Sequence, residues 1–206
     1  MTATIASASG SQWLWYISRG SGLVLLVVFS LVVVLGIATR TGAAPRGWPR
    51  FASAELHRTL ALFAVAFLAL HVTTAIADPY VSIGWISTVV PFVSHYRAVA
   101  LGLGTLAVDL FGAILVTSLL RHRLGYRAWR SVHWAAYPAW LVAFIHSLKA
   151  GNDLPIGWVA LIEWGSAAAV LTAVLARLLV FFRGDDSTPL PDTSSTALPA
   201  RAGDRH

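Results

Sequence analysis

The chain has 206 residues, of which 57% are hydrophobic and 12% charged, and its mean hydropathy is +0.70. Soluble domains carry about 25% charged residues, so these values exclude an ordinary water-soluble fold and indicate a protein whose solvent is lipid. The net charge of +6 does not indicate nucleic-acid binding, because the basic residues are spread over short segments that flank apolar runs. The absence of cysteine excludes disulfides, iron–sulfur clusters and covalent C-x-x-C-H haem attachment.

Five apolar runs follow one another along the chain, and each is long enough to cross a bilayer as a helix of about 20 residues. They cover residues 13–38, 55–77, 96–120, 129–148 and 156–182. Proline and glycine residues lie in the segments between them, as expected where helices are interrupted. The sequence therefore predicts an all-α integral membrane protein, a bundle of about five transmembrane helices within residues 13–183.

The two ends of the chain are predicted to lie on opposite sides of the membrane. Residues 1–12 carry no positive charge and lead into an apolar run without a small-residue cleavage site, so we expect a short external N-terminus and a retained first helix. Residues 184–206 have no apolar period, which predicts a disordered tail. Arginines are concentrated in the first and third connections and at the end of the fifth run, so the tail is placed in the cytoplasm and the protein in the cell membrane.

Four of the seven histidines lie inside the predicted spans, where ionisable residues are disfavoured and are therefore functional candidates. His57 and His71, on the second span, are 14 residues or about 21 Å apart. His133 and His146, on the fourth, are 13 residues or about 19.5 Å apart. Because these spans run in the same direction, we expect His57 level with His133 near the inner face, and His71 level with His146 near the outer face. The pattern predicts two bis-histidine sites stacked across the membrane.

The composition of these sites favours haem. Neutral imidazole binds iron, copper or zinc, and two histidines without a cysteine or carboxylate match axial haem ligation best. On an ideal helix the 14-residue step returns to within about 40° of the same face, whereas the 13-residue step misses by about 140°. Pro138 lies between His133 and His146. We expect a proline kink there to change the winding and to realign the two ligands.

The two histidine pairs, at H-x13-H and H-x12-H spacing, are accompanied by three short stretches. These are Ser18-Arg19-Gly20-Ser21-Gly22, Leu56-His57-Arg58 and Trp129-Arg130-Ser131-Val132-His133-Trp134. Together they resemble the ferric reductase-like transmembrane domain shared by ferric reductases and NADPH oxidases, over about residues 13–182. The resemblance implies two b-type haems in series, held between the second and fourth helices by His57, His71, His133 and His146.

Reductases of that family often have six helices and a fused flavin and nicotinamide domain. This sequence shows five spans and no Gly-rich nucleotide-binding loop, so no fused flavin or nicotinamide site is expected. The chain is more similar to stand-alone bacterial members that bind haem b. We therefore expect a separate donor, either a flavoprotein or a membrane quinol, and an external acceptor such as ferric iron or a partner reductase.

Several charged residues lie beside the predicted sites. Arg19 and Glu163 have similar depths in the first and fifth spans, and either pair with each other or leave Arg19 to bind a propionate of the outer haem. Arg58 and Arg130 adjoin the inner histidines, where propionate binding and membrane anchoring are alternative roles. Asp109, in the third span, is expected to be protonated or to accept the free N–H of a ligand histidine. In the alternative non-redox function, a proton or metal-ion transporter, the histidines and Asp109 would form a relay.

Overall fold

The computed structural model describes residues 2–41, 49–79, 83–151 and 157–184, and its elements within those ranges are all helical. They are α1 (Thr2–Thr41), α2 (Arg50–Ala77), a 3-10 helix (Trp85–Thr88), α3 (Ala98–Leu119), α4 (Arg121–His133), α5 (Ala136–Ala150) and α6 (Gly157–Gly184). Helices α1, α2, α3 and α6 are long and apolar enough to cross a membrane. The predicted all-α, multi-pass membrane bundle is confirmed.

The two ends of the chain compare differently with expectation. Helix α1 begins at Thr2, so most of the segment expected to be a short external N-terminus continues the first spanning helix. The tail expected over 184–206 lies outside the described residues, apart from Gly184 at the end of α6.

The fourth predicted span, 129–148, is not one continuous helix. It is divided between α4 and α5, with Trp134 and Ala135 between them. Their ψ angles of −21° and −10° are closer to those of a 3-10 helix than of an α-helix. Gly125, with φ of 77°, also interrupts α4 near its start, so the helical run that leads to His133 begins after that glycine.

Pro138 accounts for the position of this break. Proline has no N–H to donate and its ring clashes with the carbonyl four residues earlier, which here belongs to Trp134. The N–H of Tyr137 donates instead to Trp134 O at 3.3 Å, and the N–H of Ala135 donates to Val132 O at 2.9 Å. Both are three-residue hydrogen bonds, so the chain is wound more tightly here than in an α-helix.

Two helix pairs form the frame of the bundle, because α2 packs along α1 and α5 packs along α3. Helix α6 packs on α1, and the buried core lies between α1, α5 and α6. Its residues are Leu26, Phe29, Val33, Ile37, Ala139, Trp140, Phe144 and Val170. The indole N–H of Trp140 donates to Ser30 Oγ at 2.9 Å, which joins α5 to α1 inside this core. This contact fixes α5 independently of the break that precedes it.

Residues 83–97 of the α2–α3 connection fold over one end of the bundle. The hydroxyl of Thr105 on α3 donates to Ser87 O at 2.5 Å, and Arg97 Nη1 donates to Ala150 O at 3.1 Å. The first contact joins the connection to α3, and the second joins it to the end of α5. The connection therefore closes the end of the bundle that contains His71 and His146.

Candidate functional site

The four intramembrane histidines form two opposed pairs. The ring centres of His57 and His133 are 6.3 Å apart, and those of His71 and His146 are also 6.3 Å apart. The ring planes within the pairs cross at 64° and 77°, so the imidazoles face each other and are not stacked. The structure thus brings together the residues that were matched by depth, one from α2 and one from the α4–α5 segment in each pair.

The ring separation fits one metal ion between two imidazoles. Two metal–nitrogen bonds of about 2 Å, with about 1 Å from each nitrogen to its ring centre, place opposed rings roughly 6 Å apart. Among the described residues no group of three or more His, Cys, Asp or Glu side chains is arranged to hold a metal. A metal with two protein ligands and its remaining positions filled by a macrocycle, as in bis-histidine haem, fits this donor set.

Three of the four imidazoles are fixed by a backbone carbonyl of the neighbouring helix. His71 Nδ1 lies 2.7 Å from Ser18 O and His57 Nδ1 lies 2.9 Å from Val32 O, both on α1. His146 Nδ1 lies 2.7 Å from Ala100 O on α3. A carbonyl oxygen only accepts, so each Nδ1 carries the proton and donates. In a neutral imidazole this leaves Nε2 with its lone pair available to a metal.

A glycine follows each of these carbonyls by four residues and allows the imidazole to approach. A Cβ at Gly22 would lie 2.9 Å from His71 Cε1, and one at Gly104 would lie 2.7 Å from His146 Cε1. At Gly36 the corresponding distance, to His57 Cε1, is 3.3 Å.

This glycine pattern is a signal that histidine spacing alone missed. Gly22 and Gly36 are 14 residues apart on α1, the same step that separates His57 and His71 on α2. Because α1 and α2 pack together, equal steps place one glycine opposite each histidine. Helix α2 therefore contributes a histidine to each site, and α1 contributes the glycine against which that histidine packs.

His133 is held differently from the other three. Its Nδ1 is buried and has no hydrogen-bond partner. Its ring stacks on Trp129, one helical turn earlier, with centres 4.9 Å apart and planes at 29°. The indole N–H of Trp129 donates to Ser118 Oγ on α3 at 3.2 Å. Ser118 lies 14 residues after Gly104, so a serine stands where the repeated pattern has a glycine.

The tight winding between α4 and α5 reduces the angular mismatch expected for the 13-residue step. Each residue wound at 3.0 instead of 3.6 residues per turn adds about 20° of rotation. The tightened residues lie between His133 and His146, and their added rotation has the sign that closes the gap of about 140°. The break thereby helps both histidines of this segment to face α2.

The outer pair borders a cavity of about 370 Å³. Its lining is mainly apolar and comes from α1, α2, α3, α5 and α6 together with the α2–α3 connection. Pockets of a few hundred Å³ with apolar walls and a few polar groups are typical of cofactor and ligand sites. Both outer histidines, Gly22, Gly104, Arg19, Arg97 and Glu163 take part in this lining. The guanidinium of Arg19 also lies over the ring of Trp15, 5.0 Å from its centre.

Glu163 does not make the first of the two contacts that the sequence suggested for Arg19 and Glu163. Glu163 is only 3% exposed, and its Oε1 accepts a hydrogen bond from Ser147 Oγ at 2.7 Å, whereas its Oε2 has no partner. The suggested Arg19–Glu163 pair is therefore not the contact that Glu163 makes. Arg19 and Glu163 lie at similar depth in the membrane, but similar depth does not require that their side chains point towards each other. Arg58 and Arg130 are exposed beside the inner pair.

Asp109 does not take the role expected for it. Its side chain is exposed on α3, and the histidine Nδ1 atoms either meet backbone carbonyls or, at His133, have no partner. The expectation that Asp109 accepts the N–H of a ligand histidine is therefore wrong. In the alternative transporter function the histidines and Asp109 would form a relay, and no direct hydrogen bond joins Asp109 to a histidine Nδ1.

Residues 21–144 match the family model described as ferric reductase like transmembrane component. The match covers more than half of the chain, so this protein belongs to that family. It includes His57, His71 and His133 and ends two residues before His146. No curated protein and no solved structure matches the chain. Membership indicates electron transfer across a membrane as the general function.

Proposed function

We propose that this protein carries electrons across the cell membrane through two b-type haems. His57 and His133 would hold the inner haem, and His71 and His146 would hold the outer haem. The observation that carries the proposal is the pair of opposed imidazole couples, each with ring centres 6.3 Å apart. Three of these imidazoles have Nδ1 occupied by a carbonyl, which leaves Nε2 for iron.

Bound haem supplies the one-electron chemistry, and the protein supplies ligation, orientation and insulation. The carbonyls of α1 and α3 hold the ligand rings against rotation. The walls of the outer cavity are mainly apolar, which lowers the polarity around the outer site. Arg19, which lines the outer cavity, and Arg58 and Arg130, which adjoin the inner pair, are proposed to bind haem propionates, because Arg forms charge-assisted bonds with carboxylates.

The direction of transfer follows from the proposed topology. In this topology the end of the bundle that contains His57 and His133 is cytoplasmic and the N-terminus is outside. The concentration of arginines near span ends at that end supports it. The donor is a flavoprotein or a quinol that meets the inner haem from the cytoplasmic side. The acceptor is external and is either ferric iron or a partner reductase.

The test is the haem content of the purified protein after expression with adequate haem. We expect two low-spin haems per chain in the reduced-minus-oxidised spectrum, and electron transfer from a reductant inside proteoliposomes to an external ferric chelate. The matched control is a His57→Ala and His71→Ala double variant, which removes one ligand from each pair. Absence of haem from the wild-type protein would overturn the proposal, and bound haem without transmembrane transfer would overturn the assigned electron-transfer function.

A further inference from the structure

A cationic side chain of α6 bridges the break between α4 and α5. The guanidinium carbon of Arg177 lies over the ring of Trp134, 4.5 Å from its centre, and 5.7 Å from the ring centre of Tyr137. Arg177 Nη1 also donates a hydrogen bond to the Tyr137 hydroxyl. Trp134 lies in the break and Tyr137 in the first turn of α5. One side chain therefore contacts both sides of the point where the fourth span changes its winding.

Arginine is suited to this combination of contacts. Its planar guanidinium stacks on an aromatic face while its N–H groups donate in the plane, which the ammonium group of lysine does not do. From the sequence Arg177 was one of the charges that place the end of the fifth span in the cytoplasm. In the structure it is partly buried against the α4–α5 break. Membrane anchoring alone does not require such a placement.

The ligand next to this break is the least restrained of the four. His133 directly precedes Trp134, and its Nδ1 has no hydrogen-bond partner. The rings of the other three histidines are each tied to a carbonyl of another helix. The direction of His133 therefore depends on its stacking with Trp129 and on the geometry of the chain at the break.

We propose that Arg177 is a positioning residue for the inner site. Arg177 acts as a clamp that holds Trp134 and Tyr137 together, and this clamp sets the winding and angle between α4 and α5 at which His133 faces His57. Loss of Arg177 frees the break, and His133 turns away while His146, held by Ala100 O and by the core around Trp140, keeps its place. The consequence for haem rests on the proposed function, whereas the effect on the break does not.

The first measurement is the spectrum of Arg177→Leu against wild type in the same detergent. We expect the inner haem to be lost or converted to high spin, so that low-spin haem falls by about half while the outer haem remains. Arg177→Lys should show the same change, because it retains the charge but not the planar stacking. Tyr137→Phe, which removes only the hydroxyl, should show a smaller one. Arg123→Leu, which removes an exposed positive charge from the same end of the bundle, should match wild type.

The second measurement needs no haem. Because the chain has no native cysteine, Arg127→Cys and Leu141→Cys introduce two unique spin-label sites on exposed positions of α4 and α5. We expect a narrow distance distribution in the apoprotein and a broader one when Arg177→Leu is added.

The two measurements separate this inference from the proposed function. A broadened distribution in a protein that never binds haem supports the clamp and overturns the haem proposal. Unchanged label distances together with two low-spin haems in Arg177→Leu overturn the clamp. If Arg177→Leu does not accumulate, Arg177→Lys and Tyr137→Phe decide the question, and unchanged distances and spectra in both overturn the clamp.

Discussion

The outer and inner histidine pairs have the same ring separation but are built in different ways. In the outer pair both rings donate to carbonyls, and both approach a glycine so closely that a Cβ would lie under 3.0 Å from the ring. In the inner pair only His57 has such a carbonyl, its glycine is more distant at 3.3 Å, and His133 is held by stacking. Described residues of the α2–α3 connection line the cavity at the outer pair.

The two sites have equal ligand spacing, but their ligand rings are not equally restrained. The outer ligands lie on α2 and α5, which pack along α1 and α3, and each ring donates to a carbonyl of the helix beside it. The inner site combines one such ligand with a residue at the end of an interrupted helix. We therefore expect changes in α1 and α3 to act mainly on the outer haem, and changes at the break to act mainly on the inner haem.

The largest effect is expected when a ligand itself is removed. His71→Ala should abolish the outer haem and leave the inner one, so haem content should fall by about half while reduction from the inner side survives. His133→Ala should give the converse result. Haem-to-protein stoichiometry and the reduced spectrum of each variant measure this. Retention of both haems by either variant would refute the assigned pairing.

The next largest effect is expected when alanine replaces a glycine that packs against a ligand histidine, and it should be larger at the outer pair than at the inner pair. In Gly104→Ala the new methyl would lie 2.7 Å from His146 Cε1, so the ring must move and the outer haem should become high-spin or be lost. Gly36→Ala, at 3.3 Å from His57, should produce a smaller change, confined to the inner haem. Gly112→Ala, also on α3 but with nothing within 4 Å, is the control. Equal spectra for all three variants would mean that the glycines do not set the ligand positions.

A smaller effect is expected for Pro138→Ala. Replacement restores a backbone donor at the break and removes the clash with Trp134 O, so tight winding is no longer enforced. Because α5 is fixed by Ala100 O and by the Trp140–Ser30 hydrogen bond, the change should fall on His133 and partly convert the inner haem to high spin. The measurement is the electron paramagnetic resonance spectrum of the oxidised protein. Selective loss of the outer haem would show that α5, and not α4, moves.

The smallest effect is expected for Asp109→Asn. The Asp109 side chain is exposed and none of the histidine Nδ1 atoms depends on it, so both haem potentials should stay at their wild-type values. Redox titration of the two haems measures this. A shift in either potential would mean that Asp109 influences a site electrostatically despite its position.

Sequence alone predicted the helical class, four of the five spans and the matching of His57 with His133 and of His71 with His146. The fourth predicted span is divided between α4 and α5. Depth in a membrane follows from the rise per residue, which is nearly constant in a helix. The angular position of a side chain about the helix axis depends on the winding of every residue before it. A few tightly wound residues therefore change that angle substantially. For this reason the depth match of Arg19 and Glu163 did not predict a contact. The break at Trp134 likewise involves a contact with Arg177 on another helix, which no local pattern contains.

The carbonyls that hold the ligand rings have a consequence for which substitutions the sites tolerate. Ser18, Val32 and Ala100 each contribute a main-chain oxygen, which remains in place whatever side chain the position carries. The acceptor survives any replacement that keeps the helix, and selection acts instead on the glycine four residues later. Proteins that share this arrangement should therefore vary at the positions of Ser18, Val32 and Ala100. They should retain a small residue four positions later, where the ligand ring packs against the helix.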